Sequence, residues 1–162
     1  MSDAPAARPG DRPKEAAIPT LGSDESGTVV WHREHLRVRD HPAVAAAAAD
    51  ADHLLPVFVF DPSFYGPEGL ACDTRIQFLH ESIVDLDNQY RDRGGALTLC
   101  HGGPVQVLTA FAEAGWDIVT TADPTGRYGL RRDNAVAEAC DVTFIDADGL
   151  VLGDLPEQAG GA

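Results

Sequence analysis

The chain has 162 residues, enough for one domain with a proper core and too few for two of ordinary size. Its net charge of −14 at pH 7 argues against autonomous binding to nucleic acid, because neutralising phosphates needs clustered Lys and Arg. Asp outnumbers Glu and Lys14 is the only lysine, a composition that points to a GC-rich genome and a halophilic, high-salt cytoplasm in which a dense carboxylate surface preserves solubility.

Residues 1–27, rich in Ala, Pro, Asp, Glu, Gly and Ser, offer little to bury and read as a disordered leader. They hold no apolar h-region, and no apolar run approaches the roughly 20 residues that span a bilayer. Cys72, Cys100 and Cys140 are odd in number and lack CxxC spacing, so reduced thiols are expected rather than disulfides or a zinc site. Together these features predict a soluble cytoplasmic protein with no membrane partner.

In chain order, the first strand is expected at Thr28–Trp31 and a helix at Ala43–Asp52, opened by Pro42. Leu54–Phe60 is continuously apolar, as in a strand covered on both faces, with Pro56 marking its entry. Asp73 is expected to cap a long helix whose apolar positions Ile76, Leu79, Ile83, Leu86 and Tyr90 form one stripe, ended by Gly94-Gly95. A strand at Ala96–Cys100, a helix from Pro104 to Gly115, a strand at Ile118–Thr121, a helix at Leu130–Cys140 and a strand at Val142–Ile145 follow. The stretch 156–162 reads as a flexible tail. Such alternation implies an α/β, Rossmann-like doubly wound sheet of five parallel strands, with the expected order 3-2-1-4-5.

Ligands in such sheets sit at the carboxyl ends of the strands. The Gly-x-Gly-x-x-Gly and P-loop signatures are missing. Gly102-Gly103-Pro104 reads as a plain turn, Asp146-Ala-Asp148-Gly149 as a strand-ending turn rather than a calcium loop, and Cys100-His101 as unpaired neighbours rather than a catalytic dyad. His32 and His35 lack a third metal ligand, so no metal and no catalytic residues are assigned.

Trp31 to Val44, Trp-His-Arg-Glu-His-Leu-Arg-Val-Arg-Asp-His-Pro-Ala-Val, combines Arg33, Arg37 and Arg39 at the end of the first strand. By charge alone it is an anion clamp or a set of structural ion pairs. Its residue order resembles the opening motif of the DNA photolyase and cryptochrome family, departing only at His35, where the family usually has Asp. Val57 to Pro62, the helix from Arg75 to Asp87, Gly95 to Leu97, Gly103 to Leu108 and Arg127 to Asp133 resemble further family segments in the same order. The similarity covers roughly 28–154.

The resemblance implies an N-terminal domain that holds a light-harvesting antenna: a folate, an 8-hydroxy-5-deazaflavin or, in some members, a flavin such as FMN. The family's FAD, its electron-transfer tryptophans and its lesion pocket belong to a separate helical domain not expected within these residues. FAD would then come only from a separate catalytic domain or partner, and this chain alone should not repair DNA. Tyr128-Gly129 is similar to the deazaflavin-binding members, where folate-binding members carry Glu. A glycine allows close approach of a planar tricycle. By match to the deazaflavin members, His32, Arg33, Phe60, Asp61, Arg75 and Gly129 are the cofactor-binding candidates. Asp123, offset by one position from the family's loop carboxylate, joins them, while Arg37, Arg39 and Asp40 are expected to be framework. Two alternatives stand beside this reading. One is a small nucleotide-binding stress-type α/β protein, for which Gly126 and Gly129 are too sparse a glycine loop; the other is a decayed photolyase fragment without ligand.

Overall fold

A computed structural model describes residues 18–65, 72–122 and 127–146 of the chain. Five parallel strands, β1 (Gly27–His32), β2 (His53–Phe60), β3 (Thr98–His101), β4 (Asp117–Thr121) and β5 (Val142–Ile145), form one sheet in the order β3-β2-β1-β4-β5. They alternate with helices α1 (Pro42–Asp50), α2 (Asp73–Arg91), α3 (Pro104–Glu113) and α4 (Arg127–Ala139), and a single 3-10 turn at Pro62–Tyr65 follows β2. This is the expected doubly wound arrangement. The order follows from right-handed crossovers, which send α1 and α2 to one face and α3 and α4 to the other.

The period of two along a strand divides the core. Val29, Trp31, Val57, Val59 and Ile118 pack with Leu108, Phe111 and Val136 on the α3–α4 face. The intervening residues turn the other way: Phe58 meets Ile83, Leu86 and Tyr90 of α2, while Val30 and Val119 meet Ala43 and Ala47 of α1. The α1 contact is thin because its buried residues are the alanines Ala43 and Ala47, with Val44 partly buried beside them, allowing helix and strands to approach closely.

Several boundaries differ from the sequence expectations for identifiable reasons. β3 begins at Thr98, not at residue 96, because the Leu97 N–H donates to the Asp87 carboxylate of α2 (2.9 Å) instead of to a strand. Asp73 is the first helical residue of α2 rather than its cap; Cys72 occupies the N-cap without a side-chain hydrogen bond. Pro56 lies inside β2 and not at its entry. Pairing of β2 with β3 starts only at Val57, so Pro56 sits where one side of the strand is still unpaired and a missing N–H is tolerated.

The leader expected over 1–27 also needs correction at its C-terminal end. Ile18 and Leu21 pack against the core, and the Trp116 indole N–H donates to the Pro19 carbonyl (2.9 Å). Gly27 permits this closure: a Cβ there would lie 2.7 Å from both Leu21 and Trp116. Gly27→Ala is therefore expected to cost about 1–3 kcal/mol by overpacking. Gly95→Ala, whose Cβ would meet nothing closer than 3.7 Å, should be neutral or mildly stabilising. Urea denaturation of the two variants would compare them directly.

Candidate functional site

The carboxyl ends of the strands carry two separate clusters, one on each face. They are separated by the alternation at the end of β1. His32 turns toward α2, whereas Trp31 and Arg33 turn toward α4.

On the α4 side, Arg33 is an anchor. Its guanidinium pairs with Asp133 of α4, donates to the Thr121 carbonyl at the end of β4, and lies 4.5 Å from the centre of the Trp31 ring. The side chain is 4% exposed. It thus occupies the crevice between β1 and β4, where crossovers diverge to opposite faces and α/β sheets commonly admit ligands. Arg132 adds a second cation over Trp31, at 5.6 Å. Gly129 is buried in the first turn of the same helix, α4.

On the α2 side, His32 is equally enclosed, with 1% exposure. Its Nε2 lies 2.6 Å from the Tyr90 hydroxyl and its Nδ1 3.4 Å from the His35 carbonyl. The His41 ring packs edge-on at 4.8 Å. His41 is the N-cap of α1, its Nδ1 accepting from the Val44 N–H, which explains why Asn or His, both short-reach acceptors, suits the position before Pro42. Burial, reinforced by the mutual proximity of these rings, lowers the pKa of His32 to about 3. Burial followed by the influence of His35 and Arg37 lowers that of His41 to about 4. Asp40 takes a left-handed conformation (φ 52°), with its carbonyl accepting from Arg37 (3.3 Å). Arg37 and Asp40 thereby shape the loop.

The His32 and Arg33 side chains, both expected to line the site, are thus buried among framework partners. Phe60 and Asp61 are placed differently. Phe60 is half-buried at the tip of β2, and the 3-10 turn and α2 bring further rings to it. His101 of β3 stacks on Phe60 (5.1 Å, 21°), Tyr65 lies at 6.4 Å, and His80 of α2 meets it edge-on at 6.1 Å. The His80 and His101 rings are exposed, giving an aromatic tier open to solvent. Asp61 shapes its floor by accepting from the Ser63 N–H (2.9 Å) and hydroxyl (2.7 Å), which holds the turn that delivers Tyr65. Arg75 is exposed in the first turn of α2, an end of the helix that disfavours a cation and favours an anionic neighbour. Asp123 lies outside the described residues.

Tyr65, His80 and His101 were not among the sequence candidates. His101 could have been found from strand register, since it pairs with Phe60; Tyr65 and His80 arrive through a turn and a helix with no periodic signal. The same register disposes of the Cys100-His101 dyad. Cys100 turns to the buried α3 face, where burial pushes its thiol pKa up to about 11. Gly102 is similarly committed, its N–H donating to the Phe60 carbonyl (3.0 Å) rather than to an anion. Among the described residues no cluster of metal-ligating side chains occurs, and no helix is long and apolar enough to cross a membrane.

These features define a doubly wound α/β domain with an aromatic tier at its strand ends. The family model for DNA photolyase matches residues 28–158, and the chain belongs to the DNA photolyase family. It is similar to cryptochrome DASH of Natronomonas pharaonis, with 39% identity over 119 residues, covering 70% of this chain and 25% of that protein. It is also similar to a (6-4)DNA photolyase of Oryza sativa subsp. japonica, with 33% identity over 147 residues, covering 82% and 27% respectively. An archaeal photolyase from Sulfolobus tokodaii, described with two FAD molecules, shares the fold at TM-score 0.66 and 24% identity, over 73% of this chain and 28% of that one. The chain thus spans about a quarter of the length of these relatives.

Asp133→Asn should cost ~3–5 kcal/mol, because it removes the carboxylate charge paired with the buried Arg33 guanidinium; chemical denaturation measures the loss. The histidine pair predicts a second trend. Below a pH of about 6.5 the unfolded histidines take up protons that the folded ones refuse until about pH 3–4, so stability is complete above that range and falls as pH falls through it. His41→Asn, which keeps an N-cap acceptor and removes one titrating ring, should flatten this dependence between pH 7 and pH 5 in denaturant titrations.

Proposed function

We propose that this domain holds a planar light-harvesting chromophore of the 8-hydroxy-5-deazaflavin type, in preference to a folate or FMN. It would serve a photolyase- or cryptochrome-type flavoprotein linked to light-dependent DNA repair. The observation that carries this reading is the aromatic tier of Phe60, Tyr65, His80 and His101, partly open to solvent at the carboxyl edge of the sheet. Planar conjugated rings bind such surfaces by stacking and by displacing water from apolar faces.

When bound, such a chromophore absorbs light and passes the excitation onward. The chain's part is to hold and orient it. Phe60 supplies an apolar face fixed by strand pairing, Asp61 sets the turn that positions Tyr65, and Arg75 supplies a cation suited to an anionic ring oxygen or tail. Gly129, buried in the first turn of α4 on the other face of the sheet, offers no carboxylate for a pterin's amide and amino groups. FAD would be contributed by a separate catalytic domain or partner.

Reconstitution of the purified chain with 8-hydroxy-5-deazaflavin should give co-elution and a shifted visible absorption band, with methenyltetrahydrofolate retained less well. Phe60→Ala is expected to weaken binding by up to about tenfold, the scale of one aromatic contact. Failure of the deazaflavin to co-elute while the folate binds would overturn the deazaflavin assignment.

A further inference from the structure

Tyr65 carries a polar atom that the described fold does not use. Its hydroxyl is enclosed from solvent yet has no hydrogen-bond partner among the described residues. An enclosed, unsatisfied hydroxyl forfeits its bonds to water and gains nothing in return. A phenylalanine would pack the same ring without that cost. The ring itself is well placed: it sits edge-on to Phe64 at 5.4 Å and tilted by 37° against Phe60 at 6.4 Å, on the turn that Asp61 braces. Burial also raises the phenol's pKa above its usual value, so the proton stays on oxygen and the group remains a donor at any ordinary pH.

We infer that Tyr65 is a specificity-determining residue of the aromatic tier, its hydroxyl reserved to donate a hydrogen bond to a carbonyl oxygen on a planar heteroaromatic ring. This rests on the antenna reading above and adds to it a requirement: the ring must carry an acceptor at the edge that meets Tyr65. Stacking alone selects for any flat apolar ring. A dry donor also rejects rings lacking the acceptor, because the hydroxyl would then stay unpaired in the complex. In this assignment the orphan hydroxyl is a stability cost of the unliganded fold that the ligand's acceptor relieves.

Tyr65→Phe separates this from a structural role because the two predict opposite signs. In the free chain the variant should melt at the same temperature as the parent or higher, since only an unsatisfied group is removed. Titrated with 8-hydroxy-5-deazaflavin, it should bind about tenfold more weakly, and the carbonyl stretching band of the bound chromophore should move to higher wavenumber as its hydrogen bond is lost. Binding within twofold of the parent, or a lowered melting temperature in the free chain, would overturn the role of Tyr65 while leaving the antenna reading intact. If the parent chain itself fails to bind the deazaflavin, that reading falls and the Tyr65 assignment falls with it.

Discussion

The Arg33 guanidinium is the fixed point of this domain. From the end of β1 it reaches the Thr121 carbonyl at the end of β4 and Asp133 on α4, with Trp31 beneath it. One side chain thereby ties two central strands and the helix covering them at the place where the crossovers part to opposite faces. A buried guanidinium is stable only with its charge and planar donors engaged, so the position of α4 and the spacing of the strand ends are set together. The acidic surface cannot supply this order; it repels itself, and the described ion pairs other than Arg33–Asp133 lie at exposed positions, where they contribute little.

The Arg33 side chain occupies the crevice between β1 and β4, and on the other face His32, His41 and Tyr90 are buried together. Further out, β2 and β3 carry the Phe60 and His101 rings, and the covering helix presents His80. In the proposed function the chromophore meets this lateral edge, built on Phe60 and the turn that follows it.

The two faces also divide the work energetically. The histidine cluster is kept neutral by burial, which supports a rigid loop at neutral pH and weakens it in acid. The aromatic tier, by contrast, leaves rings exposed and one hydroxyl unsatisfied.

Much of this was legible in the order of residues. The alternation of apolar runs with helical stripes specified five strands, four helices and the sheet order, because side-chain period and connection handedness are local properties. The Trp31–Val44 motif marked the family. Proximity in sequence, however, could not tell the buried His32 and Arg33 side chains from the half-buried Phe60, since one residue's shift along a strand reverses the face and only the packed helices decide how deeply each is covered. Residues 18–26 read as unstructured because their few apolar side chains matter only once Trp116 and Gly27 provide a seat. Tyr65, His80 and His101 come from a turn, a helix and an edge strand. The sequence by itself determined the elements and their topology; tertiary packing alone decided which side chains converge, because burial depends on partners far away along the chain.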